Sequence, residues 1–257
     1  MAQVNFDAWP GDYRAAVSLT YDDGNDTQLN LAAPRMEELG WRGTFYLSCG
    51  IDDWRERLAP WVSVHERGHE IGNHTIGHTC SRNFQDGPAA GGLEDMTLED
   101  IEADVLEAER RLAELFPRES RSFAYPCYMT HVGAGETRQS YVPVIARHFI
   151  AGRGFGEYAF SNSPHNCDLA CLWSTPIEHT RGEEIVGLMD LNLRRGRWLI
   201  LTMHYIGGAR LGTAPTEFEK MLDWLDRHRD QVWVAPVAEI AQYLRDEVQQ
   251  HPDGGAA

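Results

Sequence analysis

The chain of 257 residues and 29.0 kDa has the length of one large domain or two small ones. Its 42% hydrophobic and 24% charged residues are ordinary globular usage and exclude disordered and fibrous classes. A net charge of −16 repels nucleic-acid backbones and anionic membranes, so no nucleic acid and no membrane is an expected partner, and a neutral substrate fits better than an acidic polymer.

No apolar run approaches the ~20 residues of a membrane span. Residues 1–11 lack the basic and apolar regions of a signal peptide. The cysteines Cys49, Cys80, Cys127, Cys167 and Cys171 are odd in number and scattered. They read as reduced thiols in a cytoplasmic protein, with a secreted protein shorn of its leader as the alternative.

Residues 15–21 form a run of β-formers that ends at the turn signal Asp22-Asp23-Gly24. A helix is expected over 28–39, capped by Asp26 or Thr27, stopped by Gly40, and kinked or started late at Pro34. Residues 43–48 read as a second strand, 60–67 as a helix stopped by Gly68, and 69–73 as a third strand. A loop rich in Gly, Pro and polar residues covers 79–96. The clearest helix runs over 98–116, with Thr97 and Asp100 as a capping box and Leu98, Ile101, Val105, Ala108, Leu112 and Leu115 on one face. Strands are expected at 122–125, 148–151, 198–203 and 232–235, and helices near 137–147, 182–195, 215–228 and 237–249. Residues 251–257 read as a frayed end.

About seven βα units in continuous alternation, with no linker or repeat, indicate a single-domain α/β fold. The expected form is a distorted (β/α) barrel of about seven parallel strands spanning 1–257, with its catalytic core at about 14–245. An open doubly wound sheet is the alternative, and alternation alone does not separate the two.

Function in such folds gathers beyond the C-terminal strand ends. There the sequence places Asp22 and Asp23, then His74 and His78, then Pro126, Cys127 and Tyr128, and finally His204. His74 and His78, four apart, would share one face of a helical turn and one metal ion. Two histidines and a carboxylate suit zinc, iron or cobalt, with positions left open for water and substrate. Paired carboxylates can divide the work of holding a cation and taking a proton, although Asp-Asp-Gly taken alone is simply a turn.

Other patterns compete. His65-Glu66-Arg67-Gly68-His69 has the zincin H-E-x-x-H order, but Gly68 interrupts the helix that this motif needs. Gly152-Arg153-Gly154-Phe155-Gly156 lacks dinucleotide-binding spacing. Cys127 as nucleophile with His204 as base has no orienting third group. Cys167 and Cys171 lack the partners of a structural zinc site. Trp9, Trp41, Trp54 and Trp61 could stack on sugar rings, against the commoner use of Trp in buried packing.

Taken together, Thr20-Tyr21-Asp22-Asp23-Gly24, His74-Thr75-Ile76-Gly77-His78 behind Gly68-His69-Glu70-Ile71-Gly72-Asn73, and Leu201-Thr202-Met203-His204 resemble the polysaccharide deacetylases of carbohydrate esterase family 4, the NodB homology domain. The family's Arg-x-Pro-Tyr motif corresponds to Ala124-Tyr125-Pro126-Cys127, so its arginine is absent. Arg153 is the preferred replacement, ahead of Arg121 and Tyr128. No Asp-x-x-Asp-Trp motif is visible, and Asp168 with Trp173 is a loose echo of it.

The resemblance implies that Asp23, His74 and His78 bind one divalent ion, zinc first, with cobalt, nickel or iron as alternatives. It implies Asp22 as general base, His204 as general acid, a backbone N–H at Cys127 as oxyanion donor, and Arg153 holding Asp22. Tyr21 and Tyr128 are expected to touch substrate. The implied activity is removal of acetyl groups from an N- or O-acetylated carbohydrate. A small-molecule amidase of the same fold and a non-catalytic carbohydrate-binding relative are the alternatives. Oligomeric state is left open.

Overall fold

The eight residues Ala15–Asp22 (β1) are all buried, as a strand covered on both faces requires. The structure, a computed structural model, describes residues 8–249 apart from 51, 85–90 and 209. The frayed end expected at 251–257 lies outside the described residues. Around β1 the chain lays down Thr44–Leu47 (β2), Glu70–Asn73 (β3), Ser122–Ala124 (β4), Ala151–Arg153 (β5), Thr175–Pro176 (β6), Trp198–Met203 (β7) and Val232–Val234 (β8).

These strands form one parallel sheet in the order β5-β4-β3-β2-β1-β7-β6. β7 runs along one edge of β1. The other edge is divided, with β2 pairing at Thr20–Asp22 and β8 at Ala15–Val17. The sheet does not stay open. Just before β6, the Leu172 N–H donates to Gly152 O at 2.7 Å and the Gly154 N–H to Leu172 O at 2.8 Å, joining the β6 edge to β5. The result is a distorted parallel barrel in which seven strands follow one another and β8 shares an edge of β1 with β2, not a doubly wound sheet. Gly152 permits the closure, because a Cβ there would lie 2.4 Å from Ala170 O.

The helices are Ala33–Glu38 (α1), Trp54–Leu58 (α2), Pro60–Glu66 (α3), Leu98–Leu115 (α4), Val142–His148 (α5), Gly182–Arg195 (α6), Pro215–Arg227 (α7) and Val237–Tyr243 (α8). In α4, Thr97 and Asp100 make the expected capping box, and Ile101, Val105, Ala108 and Leu112 are buried. Pro34 acts as foreseen: Gln28–Ala32 form a π-helical turn and α1 starts at Ala33. The cap is Asn25, whose Oδ1 accepts from Thr27 N at 3.0 Å and Gln28 N at 3.3 Å, rather than Asp26 or Thr27.

Three other boundaries move. The strand expected at 148–151 lies at β5, because α5 carries the helix through His148. Helix α5 itself begins at Val142, since Gln139–Ser140 pairs with His131–Val132 instead. The helix expected to reach 249 gives way to a π-helical turn at Leu244–Val248. Helix α2 and the two-residue strand β6 carry too little periodicity to be foreseen. Trp9, Trp41, Trp54 and Trp61 are at most 8% exposed, so none is a sugar platform. No described helix is long and apolar enough to cross a membrane.

Candidate active site

Period-2 alternation sorts the residues at the tip of β1. Tyr21 is fully buried, stacked on Phe45 with centroids 4.9 Å apart and with its hydroxyl toward Met36 Sδ. It is a core residue, which corrects its assignment to substrate binding. Asp22 takes the opposite face and lines a cavity of about 330 Å³ together with Asp23, His74, His78, Cys127, Tyr128, Glu178 and His204. Five separate stretches of chain thus meet at the C-terminal rim.

Asp23 follows in the left-handed region, φ 72°, which turns its carboxylate away from Asp22 and toward the histidines. Its Oδ1 lies 3.6 Å from His74 Nε2 and 3.3 Å from His78 Nε2, and the two ring nitrogens are 3.1 Å apart. His74 Nδ1 donates to Ala124 O at 2.9 Å, so its Nε2 is the lone-pair nitrogen facing Asp23. Burial pulls His74 down to about 4, which keeps its ring neutral. Two imidazoles and a carboxylate within 4.8 Å of one another form a set able to hold a divalent ion.

The histidines are not on a helical turn, as their spacing suggested. They sit on a loop with Thr75 and His78 in the left-handed region, φ 64° and 45°. Asn73 Oδ1 accepts from Thr75 N, Thr75 Oγ1 from His78 N, and the Asp104 carboxylate of α4 from Ile76 N and Gly77 N. A strained loop held at four points presents both rings as firmly as a helix would.

Arg153, at the end of β5, is fully buried. One of its terminal nitrogens donates to both Asp22 oxygens, at 2.8 and 2.7 Å, and the other to Thr202 Oγ1 at 2.8 Å. The guanidinium lies between the rings of Tyr46 and Tyr128, 4.9 and 5.5 Å from their centroids. Burial alone would raise the Asp22 pKa, but Arg153, His74 and His204 outweigh it and hold the carboxyl below its usual range. Asp22 is therefore ionised. Arg121 sits before β4 and is spent on Glu109, Ile71 O and Phe116 O, far from Asp22 in role.

His204, just past β7, places Nε2 3.9 Å from both Asp22 Oδ2 and Asp23 Oδ2. Its Nδ1 meets Glu178 Oε1 at 2.5 Å. Burial pulls its pKa down, yet the Glu178 hydrogen bond and the negative charge of Asp22, Glu178 and Asp23 leave it raised overall. Sequence reasoning missed Glu178. Asp168, the residue held up in its place, caps Ala170 N instead and lines a separate pocket.

Cys127 forms a disulfide with Cys80. This corrects the reading of five reduced thiols and removes the Cys127 sulfur as a nucleophile. The zincin reading fails as well. His69 Nδ1 accepts from Gly43 N and Nε2 faces Glu37 Oε1, so neither nitrogen is free for an ion.

The polysaccharide deacetylase family model matches residues 12–130, which hold the Asp22-Asp23 and His74/His78 motifs. Over those residues the chain is similar to that family. The fold extends the likeness over most of the chain. A candidate polysaccharide deacetylase from Mycobacterium smegmatis shares 16% identity at a TM-score of 0.62, covering 92% of each chain. A family 4 acetyl xylan esterase from Clostridium thermocellum, in complex with a cobalt ion, shares 16% at 0.54, covering 88% of this chain and 90% of the other. The Bc1960 peptidoglycan N-acetylglucosamine deacetylase shares 15% at 0.55, covering 88% and 87%. At these identities the likeness is one of fold. No curated protein matches the sequence.

Against the family's third motif, the chain departs where the sequence shows it. Ala124 supplies only its carbonyl, to His74, while Arg153 from the next strand reaches the first carboxylate. Glu178 stands on His204.

Proposed function

We propose that this chain is a polysaccharide deacetylase, a metal-dependent hydrolase that removes acetyl groups from an N- or O-acetylated carbohydrate. The observation that carries the reading is the Asp23–His74–His78 cluster with His204 Nε2 3.9 Å from both Asp23 and Asp22, the carboxylate that Arg153 holds ionised. Zinc is the ion we expect, with cobalt, nickel or iron as alternatives, because neutral imidazole and carboxylate with open positions suit all of them. Bound there, a divalent cation supplies Lewis acidity, lowering the pKa of water and polarising a carbonyl.

The remaining work falls to side chains. Asp22, ionised and fixed by Arg153, takes a proton from the attacking water. His204, whose pKa the Glu178 hydrogen bond and charge raise, gives a proton to the departing amine or alkoxide. The N–H of Tyr128 is already bonded to Tyr125 O at 2.9 Å, so Cys127 N–H is the donor of this turn assigned to the oxyanion. Tyr128 walls the cavity where the sugar ring would lie. Cys127 stands in left-handed backbone, φ 50°, a strain that fits a residue used for its backbone.

The test is to load the chain with zinc or cobalt and assay it against N-acetyl and O-acetyl sugars. Turnover that disappears, with loss of the ion, in His74→Ala and His78→Ala supports the reading. Metal content unchanged in both variants would sink it.

A further inference from the structure

His78 faces two ways. Its Nε2 turns to Asp23 and His74, while its Nδ1 lies 3.8 Å from Cys80 Sγ. The sulfurs of Cys80 and Cys127 and the His78 ring all lie within 4.8 Å of one another, a second group with the geometry of a metal site. Cys80 and Cys127 are both partly exposed. A second cavity, of about 620 Å³, opens beside them between His78, Cys80, Phe84 and Asp95. A small dithiol and a hydrated cation can therefore reach the sulfurs.

We propose that reduction of the Cys80–Cys127 disulfide creates a thiolate–imidazole site, built from Cys80, Cys127 and His78, for a thiophilic divalent cation such as zinc, and that this site draws the ion away from Asp23 and His74. A dithiol supplies two electrons and two protons, the S–S bond breaks, and the dithiol leaves as its own disulfide. Binding of the cation then releases the two thiol protons. Two thiolates and one imidazole hold zinc in three of its four tetrahedral positions and leave one for water. Soft thiolates outbid a carboxylate for such an ion. A neutral imidazole has one lone-pair nitrogen, so His78 serves one ion at a time. The two sites therefore compete.

Cobalt reports the outcome, because thiolate ligation adds a near-ultraviolet charge-transfer band that nitrogen and oxygen ligands lack. The full chain loaded with Co²⁺ should show no such band when oxidised. Once the chain is reduced by the dithiol and the dithiol is removed without air, the band should appear, with stoichiometry remaining near one. Under the same reducing conditions, Cys80→Ser and Cys127→Ser should each lack it while still binding the ion, and that retained binding shows that they fold. A reduced protein without the band would overturn the proposal. So would a band unchanged in either variant, which would place it on Cys49, Cys167 or Cys171, or a second bound equivalent. Failure here leaves the deacetylation assigned to Asp22 and His204 untouched, because that is read on the oxidised protein.

Discussion

Both ends of the barrel bury a carboxylate, and they treat it in opposite ways. At the N-terminal end, Glu70 opens β3 fully buried and accepts from Thr44 Oγ1, Ser122 N, Ser122 Oγ and Ala238 N, all at 2.8–2.9 Å. Its partners are neutral donors from β2, β4 and α8, so it ties elements together and has no lone pair to spare. At the C-terminal end, Asp22 takes its two strong bonds from a single buried cation and keeps a second imidazole, His204, 3.9 Å away without bonding it. One carboxylate is saturated and the other is held ready. The satisfied end carries stability, and the partly satisfied end carries chemistry.

The sharpest break of that comparison is at the rim. Asp22→Asn and His204→Ala should each lower kcat by ~10²- to 10⁴-fold on the acetylated substrate, the range of a lost general base or acid. Elemental analysis should find the bound ion retained in both. Turnover near the wild-type value in either variant would remove that residue from the mechanism.

The mirror experiment is at the floor. Glu70→Leu leaves four buried donors unpartnered, each costing about 1–3 kcal/mol. A loss of at least ~3 kcal/mol in denaturant unfolding is the expected result, with kcat of the folded fraction close to wild type. If Glu70→Leu instead lowered kcat and spared stability, the two ends would not be separable in this way.

Much of this division is legible in the sequence. Strands β1 and β7 announce themselves as apolar runs, and the carboxylates and imidazoles at their ends mark the rim. Arg153 could be singled out because it ends the strand after the motif that lacks its arginine. Period-2 alternation also separates Tyr21 from Asp22, although the two were grouped together. Glu178 is hidden because the strand it follows, Thr175–Pro176, is two residues long and contains proline. The disulfide was hidden because 47 residues separate its cysteines, and spacing says nothing about which strand ends meet. The His74–His78 loop was misjudged because the spacing of four is satisfied equally by a helical turn and by left-handed loop residues.

Arg153 is where rim and packing overlap, so its effect should be intermediate. Arg153→Ala should cost roughly 10- to 100-fold in kcat with metal content unchanged, since a hydrogen bond to a charged group is worth about 1.5–3 kcal/mol. Arg153→Lys should recover part of this, because one ammonium cannot also reach Thr202 in the same geometry. The pH profile separates a positioning role from simple misfolding. Arg153 holds the Asp22 pKa down, and the base works only when ionised, above that pKa. Without the guanidinium the pKa rises, so the acid limb of kcat should move to higher pH. An acid limb that stays in place while kcat falls would mean that Arg153 acts through structure alone.

Glu178 gives the finest test, because it acts one step further from the reacting atoms. His204 works as an acid only below its pKa, and four causes raise that pKa against burial: the hydrogen bond to Glu178 and the charges of Asp22, Glu178 and Asp23. Glu178→Gln keeps a hydrogen-bonding group of the same size but removes the charge. Burial, which pulls the imidazole down, then meets weaker opposition. A charge-assisted hydrogen bond of about 1.5–3 kcal/mol corresponds to roughly one to two pKa units. The alkaline limb of kcat should therefore move to lower pH by about one unit, with the acid limb, set by Asp22, unmoved. Near neutrality this should read as a loss of roughly 10-fold, recovered by lowering the pH. The opposite sign, an alkaline limb moving up, would show that Glu178 stabilises neutral His204. The general acid would then have to be sought elsewhere on the rim.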